Sequence, residues 1–279
     1  MASAQLTPPP SPIALAHDDA GPALAPGGPL PLVLLHGTPF DRTLWAPLRE
    51  RLAPRRRVLV PDLRGYGESE ITPGTVEFAT FAADIARLLD ARGVGDFVLG
   101  GLSMGGQIAM ECVGRFGARV RGLLLVGTTP EAEPPEGVRA RVELAARLER
   151  EGMAPYADEV LPRMTATPPG SPVTAHVRRM MHGTPPAGAA AALRGRAVRP
   201  DYRQVLSRFT GPTLVVVGER DTYTPVPTAR ALAALLPDAR LEIVPGAAHL
   251  PPLEAPEHFG GMVSDWLRTA VDPRSGSRG

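Results

Sequence analysis

Ser103 lies in Gly101-Leu102-Ser103-Met104-Gly105-Gly106, and the aliphatic run Phe97-Val98-Leu99 leads into it. A serine in a G-x-S-x-G turn between strand and helix has its hydroxyl held out at the carboxyl edge of a sheet, where a base can reach it. Gly101 and Gly105 suit a turn in which a side chain would collide with the neighbouring strand or helix. Acyl transfer needs, beside this nucleophile, a base, an acid to orient it and two oxyanion donors. Asp221, in Gly218-Glu219-Arg220-Asp221-Thr222, and His249, in Pro245-Gly246-Ala247-Ala248-His249, each follow an apolar run. Their order, Ser then Asp then His, is the one expected when the serine sits on a strand-to-helix turn of this kind. The Met104 N–H is one expected donor, and the loop His36-Gly37-Thr38-Pro39 supplies the other through Thr38 N–H. Phe40 is close enough in sequence to line an acyl pocket.

Each of these residues has an alternative reading. Asp221 also fits a turn or helix-capping aspartate before Pro225, and Glu219 and Glu131 are rival acids. His249 is the one histidine on a post-strand loop downstream of Asp221. His36, at a strand end beside Gly37, is expected to support its loop. His176 and His182 match no ordinary zinc spacing. His258 falls on a final helix, and His17 on a weak early strand over Ile13–His17 or at its end. No metal and no organic cofactor is expected.

The elements that must position these groups are short apolar runs without alternation, as strands buried on both faces show. They are 32–35, 58–60, 97–99, 123–126, 214–217 and 241–244, and each ends in a Gly- or Pro-containing turn. Helical patterns lie between them, at 80–91 with Phe81, Ile85, Leu88 and Leu89 on one face, at 227–236 and at 256–267. Alternation of strand and helix predicts an α/β fold with a doubly wound, mostly parallel sheet, whose reactive groups gather beyond the strand carboxyl ends. Residues 130–207 break the alternation. They carry helical patterns at 137–150 (stripe Val138, Val142, Ala145, Leu148), 153–164, 173–181 and 187–197, punctuated by Pro-Pro pairs. The expected organisation is a core over 12–129 and 208–269, an inserted helical cap over 130–207, a disordered tail over 1–11 and a flexible tail over 270–279.

Composition narrows the classes. The formal net charge of +1 gives no global case for nucleic acid or an anionic membrane as partner. All 30 basic residues are Arg, with no Lys and no Asn. That excludes a Schiff-base lysine and a P-loop lysine. The single cysteine, Cys112, cannot form an internal disulfide and reads as core filler. There is no signal-peptide pattern at the start and no apolar run long enough to span a membrane, so a cytoplasmic protein with a small-molecule substrate is expected.

With Asp62-Leu63-Arg64-Gly65-Tyr66-Gly67-Glu68-Ser69 added to the motifs above, the chain resembles the α/β-hydrolases over nearly all its length. It is most similar to small bacterial esterases, 3-oxoadipate enol-lactonases and cofactor-free haloperoxidase-type perhydrolases. The resemblance implies a triad of Ser103, Asp221 and His249 with an oxyanion hole at Thr38 and Met104. It also makes the Arg64–Gly67 turn a structural loop. A serine nucleophile argues against haloalkane dehalogenase or epoxide hydrolase activity, which use Asp there, and the missing Lys against hydroxynitrile lyase activity. The function implied is hydrolysis of an ester or lactone of a small, largely apolar substrate, with Tyr156, Met180 and Met181 joining Phe40 in contact with it. The alternatives are carbon–carbon bond hydrolysis, lyase or cyclase chemistry on the same triad, perhydrolysis, and a non-catalytic binding module. Oligomeric state is not legible.

Overall fold

The computed structural model describes residues 11–272. The expected tails at 1–11 and 270–279 lie mostly outside these residues. What is described of them is tied down. The Ser11 carbonyl accepts from Arg64 at 2.7 Å, and Asp272, after a π-helical turn over Leu267–Val271, pairs with Arg56.

Seven strands form one sheet: β1 (His17–Ala20), β2 (Leu32–Leu35), β3 (Val58–Pro61), β4 (Phe97–Leu102), β5 (Val120–Val126), β6 (Thr213–Gly218) and β7 (Ala239–Val244). Their order is β1-β3-β2-β4-β5-β6-β7, with only β1 antiparallel. Side chains alternate across it as strand geometry requires. Leu32, Leu34, Val58 and Val60 enter one apolar cluster, and Val33, Leu35, Leu59 and Leu99 the other. Burial of both faces explains why the strands read as unbroken apolar runs. β1 departs from expectation, since it begins where the apolar run ends. Its pairing with β3 decides this. Asp18 and Asp19 lie on the sheet's edge and bind Arg42 and Arg57, at 3.2 and 2.8 Å.

The helices are α1 (Ala46–Leu52), α2 (Phe78–Ala91), α3 (Met104–Phe116), α4 (Pro135–Glu151), α5 (Ala154–Met164), α6 (Pro172–Gly183), α7 (Pro186–Ala197), α8 (Arg203–Leu206), α9 (Val226–Ala234), α10 (Pro251–Glu254) and α11 (Pro256–Trp266). Five of them, α4 to α8, run between β5 and β6 without a strand. On α4 the inward stripe is rotated from the expected one. Ala145 and Leu148 are buried, but Val142 is 47% exposed, and Arg141 and Leu144 turn inward instead.

Helix α7 is unlike the others. Eight of its twelve residues are Ala or Gly, and Gly188 through Leu193 are buried. Ala189–Leu193 join the apolar cluster of one sheet face. Small side chains let the backbone come very close. A Cβ on Gly188 would lie 2.6 Å from the Gly65 carbonyl carbon and nearer still to its oxygen. Both partners are backbone and cannot yield cheaply. Gly188→Ala should therefore destabilise the fold by about 1–3 kcal/mol despite its better helix propensity, as overpacking does. Urea denaturation would check this, and a loss under about 0.5 kcal/mol would show that α7 is free to shift.

The sheet order reverses at β2. The chain leaves β2 for β3 on one side, and returns through α2 to β4 on the other. The crevice beyond the carboxyl ends of β2 and β4 is thus where an open α/β sheet offers a ligand site.

Candidate active site

Ser103 stands at that crevice, between the end of β4 and the first residue of α3. Its backbone has φ 54° and ψ −116°. No other non-glycine residue among those described has positive φ. Three glycines make room for the turn. A Cβ on Gly101 would lie 2.5 Å from Gly106 N, and one on Gly105 2.5 Å from the His36 carbonyl oxygen. One on Gly37 would lie 3.1 Å from Ser103 Cβ. The turn is pinned by Ser103 N–H donating to Val126 O at 2.9 Å and by Thr128 Oγ1 donating to Ser103 O at 2.8 Å.

Immediately after Ser103, α3 begins, so the Met104 N–H has no intrahelical acceptor. Across the crevice a cis bond joins Thr38 to Pro39. Thr38 Oγ1 accepts from the Tyr66 hydroxyl at 2.8 Å, which fixes that side chain. His36 is buried beneath this loop. Its Nε2 accepts Leu63 N–H at 2.9 Å, which leaves the proton on Nδ1 to donate to Gly37 O at 2.8 Å. Burial lowers its pKa and keeps it neutral. His36 thus ties the β2 loop to the β3 loop.

His249 Nδ1 lies 2.8 Å from Asp221 Oδ2. Asp221 Oδ1 accepts from the N–H groups of Tyr223 and Thr224 at 2.8 and 3.0 Å. An ionised carboxylate on Nδ1–H leaves Nε2 as the basic nitrogen. Burial pushes the Asp221 carboxyl upward, but the hydrogen bond and charge of His249 and the two backbone donors outweigh it and hold the group below its ordinary value. A pKa depressed on folding contributes stability above the unfolded value of about 3.9 that is lost as pH falls through the folded one. Asp221→Asn should therefore trail wild type in urea midpoint at pH 7, and the gap should close below about pH 4. A pH-independent gap would contradict this.

The rival acids lie elsewhere. Glu219 accepts Gly246 N–H at 2.9 Å and so closes the turn before His249. Glu131 lines the cavity, but its carbonyl is held by Arg199 at 2.6 Å. One residue that sequence reasoning missed is Glu254. Its Oε1 accepts Leu250 N–H at 2.9 Å and its Oε2 accepts Ala248 N–H at 3.0 Å, clamping both flanks of His249, and Oε2 also accepts Ala166 N–H at 2.7 Å. The signal was present in Pro251-Pro252-Leu253-Glu254, a carboxylate placed to reach back over a helix start.

Ser103, Thr38 and His249 share one cavity of about 320 Å³. Tyr156 is on its wall. Phe40, Met180 and Met181 are not. They are buried in the apolar cluster with Leu44, Trp45 and Leu250. Phe40 N–H donates to Gly37 O at 3.1 Å, and this turn folds the ring away from the site. α6 packs its methionines onto the same cluster. In their place the wall carries Gln107, Thr128, Glu133, Arg141, Arg196 and Arg199 beside Leu144, Met164 and Leu193, so the cavity is of mixed polar and apolar character. Among the described residues no three metal-ligating side chains converge, and no helix is long and apolar enough to cross a membrane.

The fold is shared with known proteins. The model of the alpha/beta hydrolase family matches residues 32–259. The chain belongs to that family. This alpha/beta hydrolase is 39% identical to a thermophilic esterase from Thermogutta terrifontis, solved with malate bound, with a TM-score of 0.87 over 92% of this chain and 94% of that one. It is 28% identical to the enol-lactonase of Burkholderia xenovorans, with a TM-score of 0.79 over 91% and 96% of the two chains. By sequence it is 32% identical to a pimeloyl-acyl-carrier-protein methyl ester esterase of Chromobacterium violaceum, covering 85% of this hydrolase and 94% of that protein. The family expected from the motifs is the one found, and the chain is a hydrolase enzyme.

Proposed function

We propose that this hydrolase cleaves a carboxylic ester or lactone of a small molecule through an acyl-enzyme on Ser103. The observation that carries the reading is the His249–Asp221 hydrogen bond at 2.8 Å on the wall of the cavity that also holds Ser103. His249 Nε2 takes the Ser103 proton as Oγ attacks the carbonyl. Asp221 keeps the imidazole in the required tautomer and stabilises the imidazolium. The N–H groups of Met104 and Thr38 meet the oxyanion, and the α3 N-terminus adds its dipole. His249 then returns its proton to the leaving alkoxide, and a water it activates releases the acid. Esterases and an enol-lactonase among the relatives favour an ester or lactone over carbon–carbon cleavage or perhydrolysis. We further assign residues 130–207 as a cap over the site, and the protein to the cytoplasm.

Reaction with a fluorophosphonate, followed by mass spectrometry of the peptide carrying Ser103, tests the reading together with p-nitrophenyl ester turnover. One adduct per chain, on Ser103 and absent from Ser103→Ala, is expected. Turnover with no adduct there would reject the nucleophile.

A further inference from the structure

Three arginines line the cavity, and two of them are accounted for. Arg141 donates to Glu133 at 2.6 Å, and Arg199 pairs with the same carboxylate and with the Glu131 carbonyl at 2.6 Å. Arg196 differs. Its Nε donates to the neutral Oε1 of Gln107 at 2.9 Å. Among the described residues no carboxylate is paired with it. A guanidinium has five N–H donors in a rigid fork, so four remain beside the cavity. A cation left without a counter-charge in a confined site is costly unless something supplies one. Burial lowers its pKa to about 9 and Arg141 and Arg199 add repulsion, which Glu133, already paired with those two arginines, offsets only in part, so at neutral pH it is a cation under electrostatic pressure.

We infer that the substrate carries a carboxylate close to its scissile carbonyl and that Arg196 binds it. This rests on the reading of Ser103 as the hydrolytic nucleophile. The fork of a guanidinium matches the two oxygens of a carboxylate, and the pair gives orientation as well as charge. The position is set by the fold. Gln107 N–H donates to the Ser103 carbonyl at 3.2 Å, so Gln107 lies about one helical turn beyond Ser103, about 6 Å along the α3 axis. Arg196, hydrogen-bonded to the Gln107 side chain, therefore places an anion within a few carbons of the reacting carbonyl. Its support is rigid. A Cβ on the preceding Gly195 would lie 2.5 Å from the Val76 carbonyl carbon, so α7 cannot rotate the guanidinium away. The substrate is thus a short half-ester of a dicarboxylic acid, or a lactone bearing a carboxylate, in place of the largely apolar molecule that the sequence suggests.

The test compares mono-p-nitrophenyl glutarate with p-nitrophenyl pentanoate, in which a methyl group replaces the carboxylate. Wild type should favour the glutarate ester in kcat/KM. The ratio of the two should fall about 10- to 100-fold in Arg196→Gln, as loss of a charged hydrogen-bond partner does. Arg196→Lys, which keeps the charge without the fork, should fall between. A wild-type preference for the pentanoate ester, or a ratio unmoved by both variants, would overturn the inference and leave the hydrolytic reading standing. If wild type cleaves neither ester, the hydrolytic reading fails and glutarate binding by calorimetry decides. Binding weakened about 10-fold or more in Arg196→Gln would support the anion site, and equal or absent binding would reject it.

Discussion

Replacing Ser103 by glycine is expected to abolish turnover and stabilise the fold in the same step. The hydroxyl is the proposed nucleophile, so kcat/KM for any ester should drop by about 10⁴ or more, leaving only what the oxyanion donors and binding contribute. The stability gain follows from the backbone. At φ 54° and ψ −116° Ser103 occupies a region that costs an L-residue about 1–3 kcal/mol. Glycine enters that region freely and gives back about 0.5–1 kcal/mol through its more flexible unfolded chain. A net rise of about 1 kcal/mol in unfolding free energy is expected. Ser103→Ala keeps the strain and loses the hydroxyl, so it should be inactive at near wild-type stability. Esterase assays and urea denaturation of the three proteins check both halves. More than 1% residual turnover in the alanine variant, by the fold-loss above, would place the nucleophile elsewhere. A glycine variant less stable than wild type would show that the turn is held without strain.

Asp221→Asn should lower kcat by about 10⁴ with little change in fold. The asparagine oxygen can still accept from Tyr223 and Thr224, as Oδ1 does now at 2.8 and 3.0 Å. Its amide nitrogen then faces His249 Nδ1 and donates to it. That fixes the imidazole proton on Nε2, the atom that must receive the serine proton. The error is one of tautomer, and it should appear in the pH profile as a lost general base with KM less affected. Glu131→Gln is the comparison, because its carboxylate does not reach His249, and a much smaller loss is expected. A larger loss there than in Asp221→Asn would exchange the two roles.

The triad candidates were legible because each sits where an apolar run ends, and the chain order of three such turns is informative. Strand runs buried on both faces made the sheet legible too. Two things were not. The first is side-chain direction on the insertion. Val142 and Arg141 are neighbours in sequence, and periodicity placed the wrong one inward, since an arginine reads as solvated until its partner Glu133 is known. The second is the cavity wall. Methionine suggested an apolar pocket, yet Met180 and Met181 serve packing, whereas Arg196 and Gln107 meet across 89 positions of chain. No local pattern announces such a pair. The Ala-rich run over 187–197 marks α7 as a helix but not which face packs inward, because it carries no apolar stripe.

That helix also bears on how the molecule can be rebuilt. Gly188 abuts Gly65, Gly195 abuts Val76, and the Val76 N–H donates to the Ala191 carbonyl at 3.1 Å. The helical stretch after β5 is therefore not a cassette. Exchanging residues 130–207 with those of another family member would bring in an α7 shaped for a different 65–76 loop, and the graft would clash backbone on backbone. Directed evolution of specificity has better ground on α5, whose Tyr156 and Met164 line the cavity, with α7 and its docking turn transplanted together or left alone.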